Sequence, residues 1–266
     1  HHKITQFKTC SRIYQNQTML ISFFEEFPTK ENLSKLKLIT FPTKLYLAAK
    51  TVKQYKKLKN KITNKKVKEI IYWPILEKKE GYWFSPFANR AAMQERLNEI
   101  QESIPTMIDL ELPLTKQPSL IIMQAINFFR NKKLLTKFLN NHKETYTAEY
   151  STNNPSLNFL FKLGGLQIKR KNKVIKMIYS SMHNLDEKTM QKLLENGKKK
   201  YKEKFIPAFG VLTVGIKGNE KVISPKLLDR DLNEAKKQDV KEVILFRLGG
   251  LDKEYATIIK KYAKNY

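Results

Sequence analysis

The residues of this sequence that could do chemistry are carboxylates set among aromatic side chains. The stretch from Ile70 to Leu112 holds both tryptophans, Trp73 and Trp83, with Tyr82 beside the second, and closes on Met107-Ile108-Asp109-Leu110-Glu111-Leu112. Acidic and apolar residues alternate in that closing segment with the period of a strand. Asp109 and Glu111 therefore share one face, and Ile108, Leu110 and Leu112 the other. Two carboxylates on the inner face of a strand are costly to bury without a partner or a purpose. Paired carboxylates across a cleft suit glycoside hydrolysis, in which one acid protonates the leaving oxygen and the other attacks the sugar or activates water. Aromatic faces stack on sugar rings, a role open to Trp73, Tyr82 and Trp83. Trp73 lies in an apolar run and equally fits a core position.

The elements that must hold these residues repeat a strand-then-helix rhythm. Strands are expected at 19–27, 44–48, 68–76, 107–112, 144–150, 173–180, 205–213 and 242–247. Helices are expected near 29–38, 51–66, 89–102, 118–141, 155–163, 186–203, 225–238 and 253–262. Such alternation implies a parallel sheet with crossover helices, and eight units in 266 residues fit a closed (β/α)8 TIM-type barrel. An open doubly wound sheet is disfavoured because no G-x-G-x-x-G or P-loop follows the first strand. Residues 18–266 are read as one barrel domain, and 1–17, polar and without a clear period, as an extension or tag remnant. Active sites of such barrels lie at the C-terminal strand ends. That rule selects Glu26, Trp73, Asp109, Glu111, Glu149, Tyr179, Glu220 and Arg247, with Tyr82 and Trp83 in a loop over the mouth. Of Glu25 and Glu26, alternation points only one inward. Gly249-Gly250 beside Arg247 also suits a phosphate cradle or a tight turn.

Other chemistries are poorly served. Cys10 is the single cysteine, so an internal disulfide and a cysteine-built metal site are excluded. His142 and His183 are far apart and lie in no zinc-binding spacing, and Ser180-Ser181 lies in no nucleophile elbow. A hard-cation site from Asp109, Glu111 and Glu149 stays open, but no metal or cofactor is expected. No apolar run reaches the ~18 residues of a membrane span. The net charge of +26 suits an anionic partner, nucleic acid included, through lysine-rich helices at 53–68 and 197–204. Arginine, the usual bidentate phosphate and base reader, supplies only positions 12, 90, 96, 130, 170, 230 and 247, so a solvated lysine surface explains the charge as well.

Tyr72-Trp73-Pro74-Ile75-Leu76, Gly81-Tyr82-Trp83, Asp109-Leu110-Glu111, Gly218-Asn219-Glu220 and Phe246-Arg247-Leu248-Gly249-Gly250 carry a resemblance over residues 19–262. The chain resembles a sparsely characterised group of bacterial and archaeal (β/α)8 barrels that look like distant relatives of glycoside hydrolases. The resemblance implies an acid/base at strand four and a nucleophile at strand seven, strand numbers that Glu111 and Glu220 match. Two departures stand: the Asn-Glu pair usual at strand four is absent, and Glu220 follows its strand in a loop. The expectation is a barrel that binds, and hydrolyses, a carbohydrate. Glu111 is its acid/base, Glu220 or Glu26 the second carboxylate, and Asp109 and Arg247 tune or orient them, with Glu149, Trp73, Tyr82, Trp83 and Tyr179 as substrate contacts. The rival is a non-catalytic basic barrel that binds a polyanion.

Overall fold

Eight parallel strands close on themselves in sequence order, from β1 (Leu20–Glu25) through β2 (Thr43–Ala49), β3 (Val67–Pro74), β4 (Thr106–Asp109), β5 (Thr145–Tyr150), β6 (Lys173–Met177) and β7 (Phe205–Val211) to β8 (Glu242–Phe246), which pairs with β1. The expected (β/α)8 barrel is the fold. The computed structural model describes residues 18–114, 118–152, 154–168 and 172–263. The extension read at 1–17 lies outside the described residues. Strand alternation builds two apolar layers, because every barrel strand is covered on both faces. Phe24, Tyr46, Ile71, Trp73, Met107, Tyr146 and Ile244 fill the barrel. Their neighbours Phe23, Leu45, Leu47, Tyr72, Ile108 and Leu245 pack outward against the helices. The N-terminal end of the barrel is plugged by charge: Lys44 pairs with Glu69 at 3.0 Å and Glu242 at 3.5 Å, and Ser22 donates to Glu242 at 2.9 Å.

The helices are α1 (Lys30–Ser34), α2 (Val52–Lys59), α3 (Arg90–Asn98), α4 (Pro118–Ala125), α5 (Phe128–Asn141), α6 (Pro155–Leu163), α7 (Ser180–His183), α8 (Glu187–Tyr201), α9 (Pro225–Lys237) and α10 (Lys253–Lys260). Side-chain N-caps start several of them, as at Thr29, Thr51, Asn89, Asp186, Ser224 and Asp252. Four expectations change. The helix expected over 51–66 stops at Lys59, and residues 67–68 of the lysine-rich stretch at 53–68 belong to β3. The helix expected over 118–141 is two helices, parted by a turn at Ile126-Asn127. The second is anchored by Asn131, which is fully buried and donates to the carbonyls of Pro86 (2.9 Å) and Ala88 (3.2 Å). Strand β4 ends at Asp109, where the Phe84 amide takes over the carbonyl at 3.1 Å, so Glu111 follows the strand. Strand β6 ends at Met177, and Ser180 begins a short helix.

Candidate functional site

A cavity of about 190 Å³ opens at the C-terminal mouth. Aromatic and aliphatic walls come from Phe24, Trp73, Trp83, Tyr179, Val211 and Phe246, and the polar groups are Glu26, Asp109, Glu111, Glu220, Lys217, Tyr150 and His183. Strand parity explains the acids. Phe24 points into the barrel, so Glu26, two residues on, points into the mouth, while Glu25 points out. Met107 likewise sends Asp109 and Glu111 inward, as their alternation with Ile108 and Leu110 predicts.

Glu26 is almost wholly buried. It accepts hydrogen bonds from the Tyr82 hydroxyl at 2.9 Å and the Ile216 amide at 3.0 Å. Tyr82 reaches it from a left-handed backbone (φ 66°) that follows Gly81 (φ 120°), conformations rarely taken by bulky residues. Gly215 lets the acids approach one another: a Cβ there would lie 2.8 Å from Glu26 Oε2, 3.0 Å from Glu220 Oε1 and 2.6 Å from the Phe246 ring. One loop glycine thus lies between two carboxylates. Across the cavity, Lys217 pairs with Glu111 at 2.9 Å and donates to the Tyr150 hydroxyl at 2.7 Å, and Tyr150 donates to Glu111. The Lys217 ammonium lies 4.7 Å from the centre of the Trp83 ring and 5.4 Å from that of Tyr150. Asp109 Oδ1 and Glu220 Oε2 are buried without a hydrogen-bond partner.

Burial dominates the electrostatics. It pushes Glu26 up to about 7, against hydrogen bonds from Tyr82 and Ile216, with Glu220 adding to the rise. Asp109 is held well above the usual carboxylate range by burial first and by Glu111 and Glu26 next. Burial and the adjacent Glu111 likewise raise Tyr150, keeping its phenol a donor. A carboxyl raised in the folded state holds a proton that the unfolded chain has already released, so its stabilising share is present at low pH and is lost as pH rises. For Glu26 that window runs from 4.5 to about 7 and is worth ~3 kcal/mol. The melting temperature is expected to fall between about pH 5 and pH 8, with a shallower fall in Glu26→Gln. A wild-type profile that is flat or rises over that range contradicts the assignment.

Several expected residues lie elsewhere. On β5, Tyr146 and Ala148 face the barrel and Tyr150 the cavity, so Glu149 points outward, where it pairs with Lys176 at 2.8 Å. It is not brought to the mouth and cannot share a cation with Asp109 and Glu111. Among the described residues, no group of three or more His, Cys, Asp or Glu is placed to hold a metal ion. Arg247 also stands outside the cavity lining: it pairs with Glu25 at 3.4 Å, donates to the Val214 carbonyl at 2.8 Å and covers the Phe27 ring. Glu25 also accepts from the Gly249 amide at 2.7 Å, so the anion in the presumed phosphate cradle is the protein's own. Tyr82 touches the site through Glu26. Trp73 serves as both core and lining, with its indole N–H unpartnered in the wall. Lys217, Tyr150 and His183 also line the cavity. The strand-end rule reaches Tyr150, the last residue of β5, and Lys217 in the loop after β7, but not their meeting at Glu111, and it gives no signal for His183. The lysines of α2, at 53, 56, 57 and 59, form an exposed face.

No family model matches the chain, and no curated protein matches it. Among solved structures, the Bacillus cereus spore cortex-lytic enzyme SleL superposes with a TM-score of 0.51 at 10% identity, covering 93% of this chain and 74% of that one. The Bacillus megaterium QM B1551 SleL gives 0.48 at 14% identity, covering 92% and 74%. At these identities the likeness is one of fold.

Proposed function

We propose that this barrel binds a carbohydrate at its C-terminal mouth and hydrolyses a glycosidic bond there. The observation that carries the reading is the cavity itself, in which Asp109, Glu111, Glu26 and Glu220 converge among Trp73, Trp83, Tyr179 and Phe246. Unpartnered acceptors at Asp109 and Glu220 call for donors that a ligand must bring, and sugar hydroxyls supply them. Trp83 offers its face to a ring once the Lys217 ammonium has moved aside. Resemblance of the fold to a spore cortex-lytic enzyme agrees with a lytic role.

In this reading Glu111 is the acid/base. Asp109, on the same face two residues earlier, holds a proton next to it. An incoming sugar displaces Lys217 and Tyr150 from Glu111, and the proton that Asp109 holds is relayed through Glu111 to the leaving oxygen. Glu26, poised at about 7, and Glu220 face this pair as the second carboxylate, either attacking the sugar or deprotonating a water.

The test exploits the fact that the protein has two tryptophans and that both line the cavity. Oligosaccharides of neutral, amino and acidic sugars are titrated against tryptophan emission, and release of reducing ends is followed in parallel. At least one class is expected to shift the emission and be cleaved. If no class does either, the reading fails.

A further inference from the structure

Beside the mouth lies a surface that the proposed chemistry does not use. Ile122, Met123 and Ile126, on α4 and the turn after it, are 71%, 65% and 87% exposed, and Phe129 in the first turn of α5 is 80% exposed. Helix α6 buries none of its residues, and Phe159, Leu160 and Leu163 are more than half exposed. The two groups are neighbours: a Cβ on Gly165, just past α6, would meet the Lys132 side chain on α5 at 3.6 Å. Phe161 of α6 stacks on Tyr150, whose hydroxyl bonds Glu111, so the surface adjoins the cavity. Large apolar side chains gathered in this way are uncommon on a free surface.

The charge around them is of one sign. From Leu112 to Lys143, and again from Tyr150 to Leu185, the sequence contains no Asp or Glu. Arg130, Lys133 and Lys162 are exposed among the apolar residues. Short apolar helices with basic flanks and no acidic residue are complementary to an anionic headgroup layer above an acyl interior. Among the described residues no helix is long and apolar enough to cross a membrane, so the contact is one of lying on the surface. We propose that α4, the start of α5 and α6 form a docking face for an anionic lipid bilayer, which brings the mouth of the barrel to the membrane plane.

The full chain is sedimented with vesicles of phosphatidylcholine plus phosphatidylglycerol, and with phosphatidylcholine alone. Binding is expected to the mixed vesicles, to weaken as salt is raised, and to be far lower on the neutral ones. The variant Ile126→Asp/Phe159→Asp alters two exposed positions and should keep the wild-type melting temperature. It is expected to lose binding on the order of a hundredfold, the scale set by withdrawing two large side chains from an apolar phase. The proposal is overturned if wild type stays in solution with the anionic vesicles, if the variant binds as well, or if wild type elutes as a dimer that the variant dissociates, since a second copy would then be the occupant. None of these outcomes depends on glycoside hydrolysis.

Discussion

Lys176→Met is expected to destabilise the fold by about 3–5 kcal/mol, which for a chain of this size lowers the melting temperature by on the order of 10 °C. Lys176 and Glu149 meet at 2.8 Å, with side chains 7% and 2% exposed. Their strands pair in register, with Glu149 opposite Lys176, so the contact is set by the barrel itself. In the variant the buried Glu149 carboxylate loses the Lys176 ammonium 2.8 Å away, and the cost lies in the weakened compensation of its charge. The pair as a whole is a different matter. Both ions give up hydration to be there, and an apolar pair of similar volume can replace such a bridge at little cost or with a gain. The double variant Lys176→Met/Glu149→Leu is therefore expected to recover most of the lost stability. It should also turn over substrate at the wild-type rate, because Glu149 faces away from the mouth. A loss below about 1 kcal/mol in the single variant, or a double variant no more stable than the single, counts against this account. A double variant that is stable but inactive would return Glu149 to the site.

This pair also shows where sequence reasoning reaches its limit. The rhythm of strands and helices was legible along the whole chain, and with it the barrel and the mouth as the place to look. The face of each strand was legible only where polarity alternates. Between Met107 and Leu112 acids alternate with aliphatic residues, and Asp109 and Glu111 line the cavity as that pattern implies. Strand β5, Thr145-Tyr-Thr-Ala-Glu-Tyr150, is covered on both faces, so its pattern does not say whether Glu149 or Tyr150 faces inward. Closure of the barrel decides it, through registers that no local pattern records. The Lys217–Glu111 pair joins residues 106 apart in sequence, and Ile216 meets Glu26 across 190. Arg247 bonds Glu25, because of two adjacent glutamates one points outward to where the guanidinium lies, and it reaches Glu26 of the mouth only through its charge, which lowers that acid. The break between α4 and α5 has no glycine or proline to announce it, and α5 is anchored by a buried asparagine that bonds a distant loop.

Glu111→Gln is expected to lower kcat on a natural oligosaccharide by about 10²–10⁴-fold, or roughly 3–5 kcal/mol of barrier, the usual worth of a positioned proton donor. Glutamine keeps the shape and an acceptor for the Tyr150 hydroxyl, but it carries no transferable proton and forms no ion pair with Lys217. Ligand binding, followed by tryptophan emission, should survive, and should tighten if Lys217 leaves the Trp83 face more readily. The decisive comparison varies the leaving group. An aryl glycoside whose phenol departs as a stable phenolate needs little help from an acid, so the variant's deficit on it should be much smaller than on a sugar leaving group. Asp109→Asn should behave similarly with a smaller loss, since it removes the neighbouring proton and leaves the donor in place. Glu26→Gln and Glu220→Gln should instead slow both substrates alike, because the second carboxylate acts on the sugar or the water and not on the departing oxygen. If Glu111→Gln is equally slow on both leaving groups, Glu111 is not the acid. If Glu26→Gln and Glu220→Gln both spare turnover, the second carboxylate lies elsewhere. The configuration of the newly released anomeric centre then separates attack on the sugar from activation of water, since a double displacement retains it and a single displacement inverts it.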